Sequence, residues 1–229
     1  MSLAPCTTIG LTLHDHIGHL VLNQPPSNMM TLTFFREFRN IIQYLTGLKD
    51  LKALVISGKG RHFSSGAELS GLLDDIRLNT TTNAAGQLEQ VPLSLMQNYE
   101  TLVQLERFDI PVIAAIRGVC LGSALELALF CHFRFCGEDA VFGLPETSFN
   151  LVPGLGGIKK LSDLIGRGRT LELVLRGKTF SAAEALELKV VHKILPKRDL
   201  VETALAFAGS MGPDFRSEKA RLYMKKYFA

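Results

Sequence analysis

Residues 110–130 read IPVIAAIRGVCLGSALELALF, and how this stretch is taken decides the fold. It is apolar enough to raise the question of a membrane span. Pro111, Arg117, Gly118, Gly122 and Glu126 interrupt it, however, whereas a spanning helix needs about 20 residues with few or no charges. The pattern instead predicts a buried strand over 112–117, a glycine turn over 118–122 and a helix over 123–130 that is apolar nearly all round. A buried strand that turns through glycine into a buried helix belongs to an α/β chain.

The same order occurs upstream. Residues 52–57 form a short apolar run bounded by charge and glycine, as a buried strand would be, and lead into a Gly- and Ser-rich loop over 58–67. Before that, residues 9–13 and 19–22 read as a hairpin. The His14-Asp15-His16 segment between them reads as a solvated turn rather than a metal site, because no partner cluster of Asp, Glu, Cys or His stands out elsewhere. Residues 24–28 break the pattern. Phe34, Phe35, Phe38, Ile41, Ile42 and Leu45 then recur at helical spacing up to Gly47.

Downstream of the loop, a short helix over 72–78 runs into a polar stretch with Asn79, Asn83 and Gly86, expected to be a mobile loop beside a ligand. A long helix is predicted over 93–107. Strands follow at 132–135 and 140–143, then helices at 157–164, 170–176, 182–188, 199–209 and 216–226. No low-complexity linker separates a second domain.

A chain of 229 residues with 47% hydrophobic and 21% charged content buries a substantial core and fits one soluble domain. The net charge of +3 comes from Lys and Arg spread along the chain, with no basic block, which argues against nucleic acid as a partner. Cys6, Cys120, Cys131 and Cys136 show no C-x-x-C pair and read as free thiols. The opening MSLAPCTTIG lacks a basic region followed by an apolar run, so the expected location is the cytoplasm, with no membrane partner.

Three places carry possible chemistry. In the loop GRHFSSGAEL (60–69), small residues let the backbone turn sharply and leave N–H groups pointing outward, where they can bind an oxyanion. Glu126 is a lone carboxylate on a buried helix, a costly position unless it is paired, protonated or working. Burial raises its pKa and the nearby helix N-terminus lowers it, leaving a group able to exchange protons near neutrality. The structural alternative is a salt bridge to Arg117 or Arg134. Glu146 stands just past a strand end, behind Pro145. Two carboxylates that reach one pocket can divide acid and base roles.

At these residues the chain resembles the crotonase (enoyl-CoA hydratase/isomerase) family. GKGRHFSSGAEL (58–69) is similar to the loop that supplies the first oxyanion-hole N–H, and IPVIAAIRG (110–118) with LGSALELA (121–128) to the strand and helix start that supply the second. FGLPE (142–146) places Glu146 twenty residues after Glu126, the separation expected of true hydratases. PGLGG (153–157), LVLRG (173–177) and AAEA (182–185) resemble later landmarks.

The resemblance implies an α/β, crotonase-like spiral of repeated ββα units with a shortened C-terminal helical region. Residues 1–195 would form the core, and 196–229 a helical segment of the same domain serving trimerisation or as a lid. It implies an oxyanion hole of Ala67 and Ser123, with Glu126 activating water and Glu146 delivering a proton. Arg61, Phe63, Ser65, Gly66, Glu68, Leu69 and Gly122 would contact the substrate, Arg61 near the coenzyme A phosphates. The substrate would be an acyl-CoA thioester, with no metal and no cofactor beyond the coenzyme A it carries, and the assembly a homotrimer or hexamer.

The rival activities implied are enoyl-CoA isomerisation, another lyase or decarboxylase reaction through the same enolate, and acyl-CoA binding without turnover. Three departures bear on them. Ser123 stands where glycine is usual, and its side chain would shift the backbone if φ were positive there. His132 replaces a common aspartate and reads as structural. The chain also ends at Ala229, sooner than the resemblance implies, so that closure of the acyl pocket would fall partly to a neighbouring subunit.

Overall fold

The computed structural model describes residues 4–82, 88–90 and 92–211. The chain opens with the hairpin β1 (Ile9–His14) and β2 (Ile17–Leu22), then α1 (Leu32–Thr46), β3 (Ala53–Gly58), α2 (Leu69–Asn79), β4 (Thr81–Thr82) and β5 (Leu88–Gln90). The middle holds α3 (Leu93–Glu106), β6 (Val112–Ile116), β7 (Val119–Leu121), α4 (Ser123–Leu129), β8 (Phe133–Gly137) and β9 (Val141–Gly143). A 3-10 turn (Glu146–Phe149) leads to α5 (Gly157–Ile165), α6 (Arg167–Leu175), β10 (Thr179–Ser181), α7 (Ala182–Glu187), β11 (Lys193–Leu195) and α8 (Leu200–Ser210). The helix expected over 216–226 and the expected loop residues 83–87 lie outside the described residues.

The main sheet has the order β1-β2-β3-β6-β8-β11, antiparallel at the hairpin and parallel elsewhere. Its central strands are buried on both faces, so they read as continuous apolar runs instead of alternating ones. Alternate residues divide between two cores. Leu54, Ile56, Val112, Ala114 and Ile116 join the helix-covered side with Phe34, Ile41 and Leu105. Ala53, Val55, Ile113, Ala115 and Phe135 face α8, which presents Leu200, Ala204 and Ala208 at four-residue spacing.

A second sheet, β10-β9-β7, stands beside the first. Here the structure corrects the sequence reading, because residues 118–122 are not a simple glycine turn: Val119–Leu121 form β7, parallel to β9. Ser64 makes a parallel bridge to Cys120 in this layer. The chain therefore repeats a unit of main-sheet strand, short second-layer strand or bridge, and helix: β3, Ser64, α2; then β6, β7, α4; then β8, β9, α5.

Helix α1 begins where Thr31 Oγ1 accepts the Phe34 N–H and ends at Gly47, as the sequence predicts. No described helix is long and apolar enough to cross a membrane. Cys120, Cys131 and Cys136 are buried free thiols, and Cys6 is half-buried.

Candidate active site

The loop after β3 is held from both sides. Towards the second sheet, Phe63 N donates to Arg117 O (2.8 Å), Ser64 N to Val119 O (3.0 Å) and Leu121 N to Ser64 O (3.2 Å). Towards the segment before α1, Ser65 N donates to Ser27 O, Met30 N to Gly66 O and Glu68 N to Met30 O, at 2.9–3.0 Å. Ala67 forms a parallel bridge with Met30. In a parallel ladder the bonds to Met30 come from the residues flanking Ala67, so the N–H of Ala67 itself faces the other way. Among the described residues it meets no acceptor.

Gly66 permits this course. Its φ is +94°, and a Cβ would lie 2.6 Å from Leu121 O and 3.5 Å from Ser123 N, so any side chain would push the loop off the start of α4. The second free amide belongs to Ser123. The first bond of α4 runs from Glu126 N to Gly122 O, which leaves the earlier N–H groups of the first turn, Ser123 included, without helical partners. Gly122 N donates to Gly143 O, fixing the approach. The condition under which a side chain at 123 would shift the backbone is not met: the positive φ belongs to Gly122 (φ +54°), and Ser123 is an ordinary first helical residue.

Glu126 is 1% exposed and makes no salt bridge among the described residues. Its Oε1 accepts from Leu155 N (2.9 Å) and Gly157 N (2.8 Å). Of the arginines considered as partners, Arg134 donates to Val190 O and Cys131 O, and Arg117 to Gly60 O. Burial pushes the Glu126 carboxyl up to about 7; the Gly157 N–H pulls it down, the charge of Glu146 raises it and the Leu155 N–H lowers it again. Gly157 lies so close that a Cβ there would stand 2.6 Å from Glu126 Cγ.

Glu146 is the first residue of the 3-10 turn after Pro145. Its Oε1 would be 3.1 Å from a Cβ on Gly122, and its Oε2 is buried without a partner among the described residues. Burial raises its pKa above the ordinary carboxylate value.

These groups face one cavity of about 740 Å³. Ser65, Gly66, Ala67, Glu68, Leu69, Gly122, Ser123, Glu126 and Glu146 all line it, and apolar walls come from Phe35, Leu72, Leu95, Leu151 and Leu155. Two predicted contact residues are placed elsewhere. Phe63 is 0% exposed in the main core, where its ring anchors the loop from below. Arg61 is exposed at the start of the loop, outside the lining. Glu68 lines the wall but also caps α2, accepting from Gly71 N and the Ser70 hydroxyl. Another cavity, of about 700 Å³ between α1 and α3, is lined by none of the predicted site residues.

Sequence reasoning missed the residues that hold the loop. Asn28 is buried with φ +50°; its Oδ1 accepts from Gln24 N, and its Nδ2 lies 2.8–3.2 Å from the carbonyls of Lys59, His62 and Phe63. His62 Nδ1 accepts from Val119 N (3.1 Å). His132, expected to be structural, accepts from Val112 N and pairs with Glu106 O, joining the end of α3 to the start of β6.

The family model for enoyl-CoA hydratase/isomerase matches residues 13–223. Among solved structures, an enoyl-CoA hydratase from Bacillus anthracis is 30% identical, with 96% of this chain and 88% of that one covered and a TM-score of 0.79. DspI of Pseudomonas aeruginosa is 25% identical over 98% of this chain and 86% of its own (TM-score 0.81). A Thermobifida fusca protein solved in complex with acetoacetyl-CoA is 25% identical over 96% of this chain and 92% of its own (TM-score 0.77).

Proposed function

The chain belongs to the enoyl-CoA hydratase/isomerase family, and on that premise we propose that it adds water across the 2,3 double bond of an acyl-CoA thioester. The observation that carries this reading is the pairing of Glu126 and Glu146 on one largely apolar cavity, beside two amides that meet no acceptor among the described residues.

In this reading the thioester oxygen lies between the N–H groups of Ala67 and Ser123. As water attacks Cβ, negative charge moves onto that oxygen, and donors already aimed at it favour the transition state over the ground state. Each such donor is worth about 3 kcal/mol. Glu126 as the anion takes the proton from the attacking water, and a value near 7 suits a base working close to neutral pH. Glu146, whose burial favours its protonated form, gives a proton to Cα.

Coenzyme A enters as part of the substrate, and no other cofactor has a role. The complex of the Thermobifida fusca protein with acetoacetyl-CoA supports an acyl-CoA ligand. Arg61, exposed and outside the lining, is assigned to the phosphates of the arm in the same reading. A homo-oligomeric assembly is part of the same proposal.

The test follows loss of conjugated-thioester absorbance from a short-chain trans-2-enoyl-CoA, in the parent and in Glu126→Gln and Glu146→Gln. Two-carboxylate hydration requires both variants to fall by at least a hundredfold, within the range of general acid–base effects, about 10² to 10⁴. An isomerase working through Glu146 alone would keep its rate in Glu126→Gln. Binding without turnover in the parent would replace hydration with a binding role.

A further inference from the structure

One polar side chain on the cavity wall has no part in this chemistry. Asn98, on α3, is 8% exposed and stands among Phe35, Leu95 and Leu155. An Arg39 terminal nitrogen, from α1, donates to its Oδ1 at 3.2 Å. A guanidinium only donates, so this bond fixes which end of the amide is which. The oxygen faces Arg39 and the NH₂ is turned away from it. Among the described residues Nδ2 meets no acceptor, which leaves its protons free for a group in the cavity that Asn98 lines.

The polarity beneath the wall strengthens that donor. Among the described residues Arg39 Nε is itself buried without a partner, so the guanidinium charge is only partly answered there and polarises the amide it holds. Phe35, Asn98, Ser123 and Leu155 also form the partition between the main cavity and a pocket of about 10 Å³. That pocket is too small for an acyl chain, so a chain that runs along this wall stops or turns at Asn98. Ser123 belongs to the same partition. Asn98 therefore lines the cavity on the same partition as Ser123, the side that the reading above assigns to the thioester carbonyl and the acyl group.

We propose that Asn98 is a specificity-determining residue that donates a hydrogen bond to an oxygen on the acyl group, beyond the reacting carbons. The preferred substrates are then enoyl thioesters bearing a hydroxyl or carboxylate, not plain hydrocarbon chains. This rests on the acyl-thioester reading above and adds to it a class of acyl group.

The test uses the full chain and four- and six-carbon trans-2-enoyl-CoA thioesters, each unsubstituted, with a terminal hydroxyl, or with a terminal carboxylate. The readout is the ratio of kcat/KM between oxygen-bearing and plain chains, which cancels the fraction of enzyme folded. In the parent, one oxygen-bearing form is favoured about tenfold, a modest share of what a hydrogen-bonding site can discriminate. The ratio collapses to one or below in Asn98→Leu and falls in Arg39→Met, which frees the amide to flip. The hydroxyl and carboxylate arms separate a neutral from an anionic group.

A parent that favours the plain chains, or an Asn98→Leu variant that keeps the parent's ratio, overturns the proposal and leaves the donor to a bound water. If no thioester is turned over, the same ratios are read from Kd values of the saturated thioesters by calorimetry. A preference lost in Asn98→Leu then upholds Asn98 and removes only the hydration reading. Equal affinities, or no binding, overturn both.

Discussion

Glu126 has exchanged water for two backbone amides, and that exchange makes it sensitive to pH. At pH values well below 4.5 both folded and unfolded chains hold its proton. Between 4.5 and about 7 only the folded chain does, so unfolding releases a proton and stability falls as pH rises; above about 7 the loss is complete. From the shift, the loss amounts to roughly 3 kcal/mol. Glu126→Gln, neutral in both states and still able to accept from Leu155 and Gly157, is expected to lose this dependence. Urea unfolding from pH 4.5 to 8 should show the variant gaining on the parent as pH rises, while kcat/KM of the parent climbs through about pH 7. The anomaly of Glu126 was legible in the sequence as a charge on an apolar helix. Its partners were not, because they are amides some thirty residues downstream that carry no side-chain signature.

Among the elements, the loop between β3 and α2 depends most on a residue outside itself. Asn28 lies in the left-handed region that Asn tolerates and other side chains resist, and its amide meets three carbonyls of the loop. Asn28→Ala leaves those buried carbonyls without their donor and should cost about 1–3 kcal/mol. It should lower kcat by more than the loss of folded protein explains, because Ala67 N–H is aimed by that loop. A thermal melt beside single-turnover kinetics separates the two effects. The sequence marked residues 24–28 only as a break, since nothing local says what a buried Asn will reach. It also hid β7: three residues between two glycines are too short to show a period, and pairing with β9 makes them a strand. The long apolar elements, β3, β6, α1 and α3, were legible to within a few residues because burial on a fixed face writes itself into spacing.

For the molecule as a whole, the far side of the main sheet rests on α8. Leu200 is 0% exposed there and packs with Val55, Ile113 and Phe135 in the smaller core. Leu200→Ala should cost about 2–5 kcal/mol, with the rate per folded molecule unchanged, since the sheet stands between this core and the cavity. Denaturant titration with active-site titration of the folded fraction checks both halves of that statement. The expected spiral of ββα units is the architecture found, and the family match over residues 13–223 agrees with it. The loop carrying Ala67 and the segment leading to Ser123 are tied to each other through Ser64, Val119 and Leu121. The opposite wall is a short turn with Asn150 in the left-handed region and with Phe149 and Val152 mostly exposed. The two donors thus behave as the jaws of a vice machined from one block, while the facing wall is a replaceable shim. On the proposed reading, changes in the shim alter which acyl groups are seated, and the spacing of the jaws stays as it was.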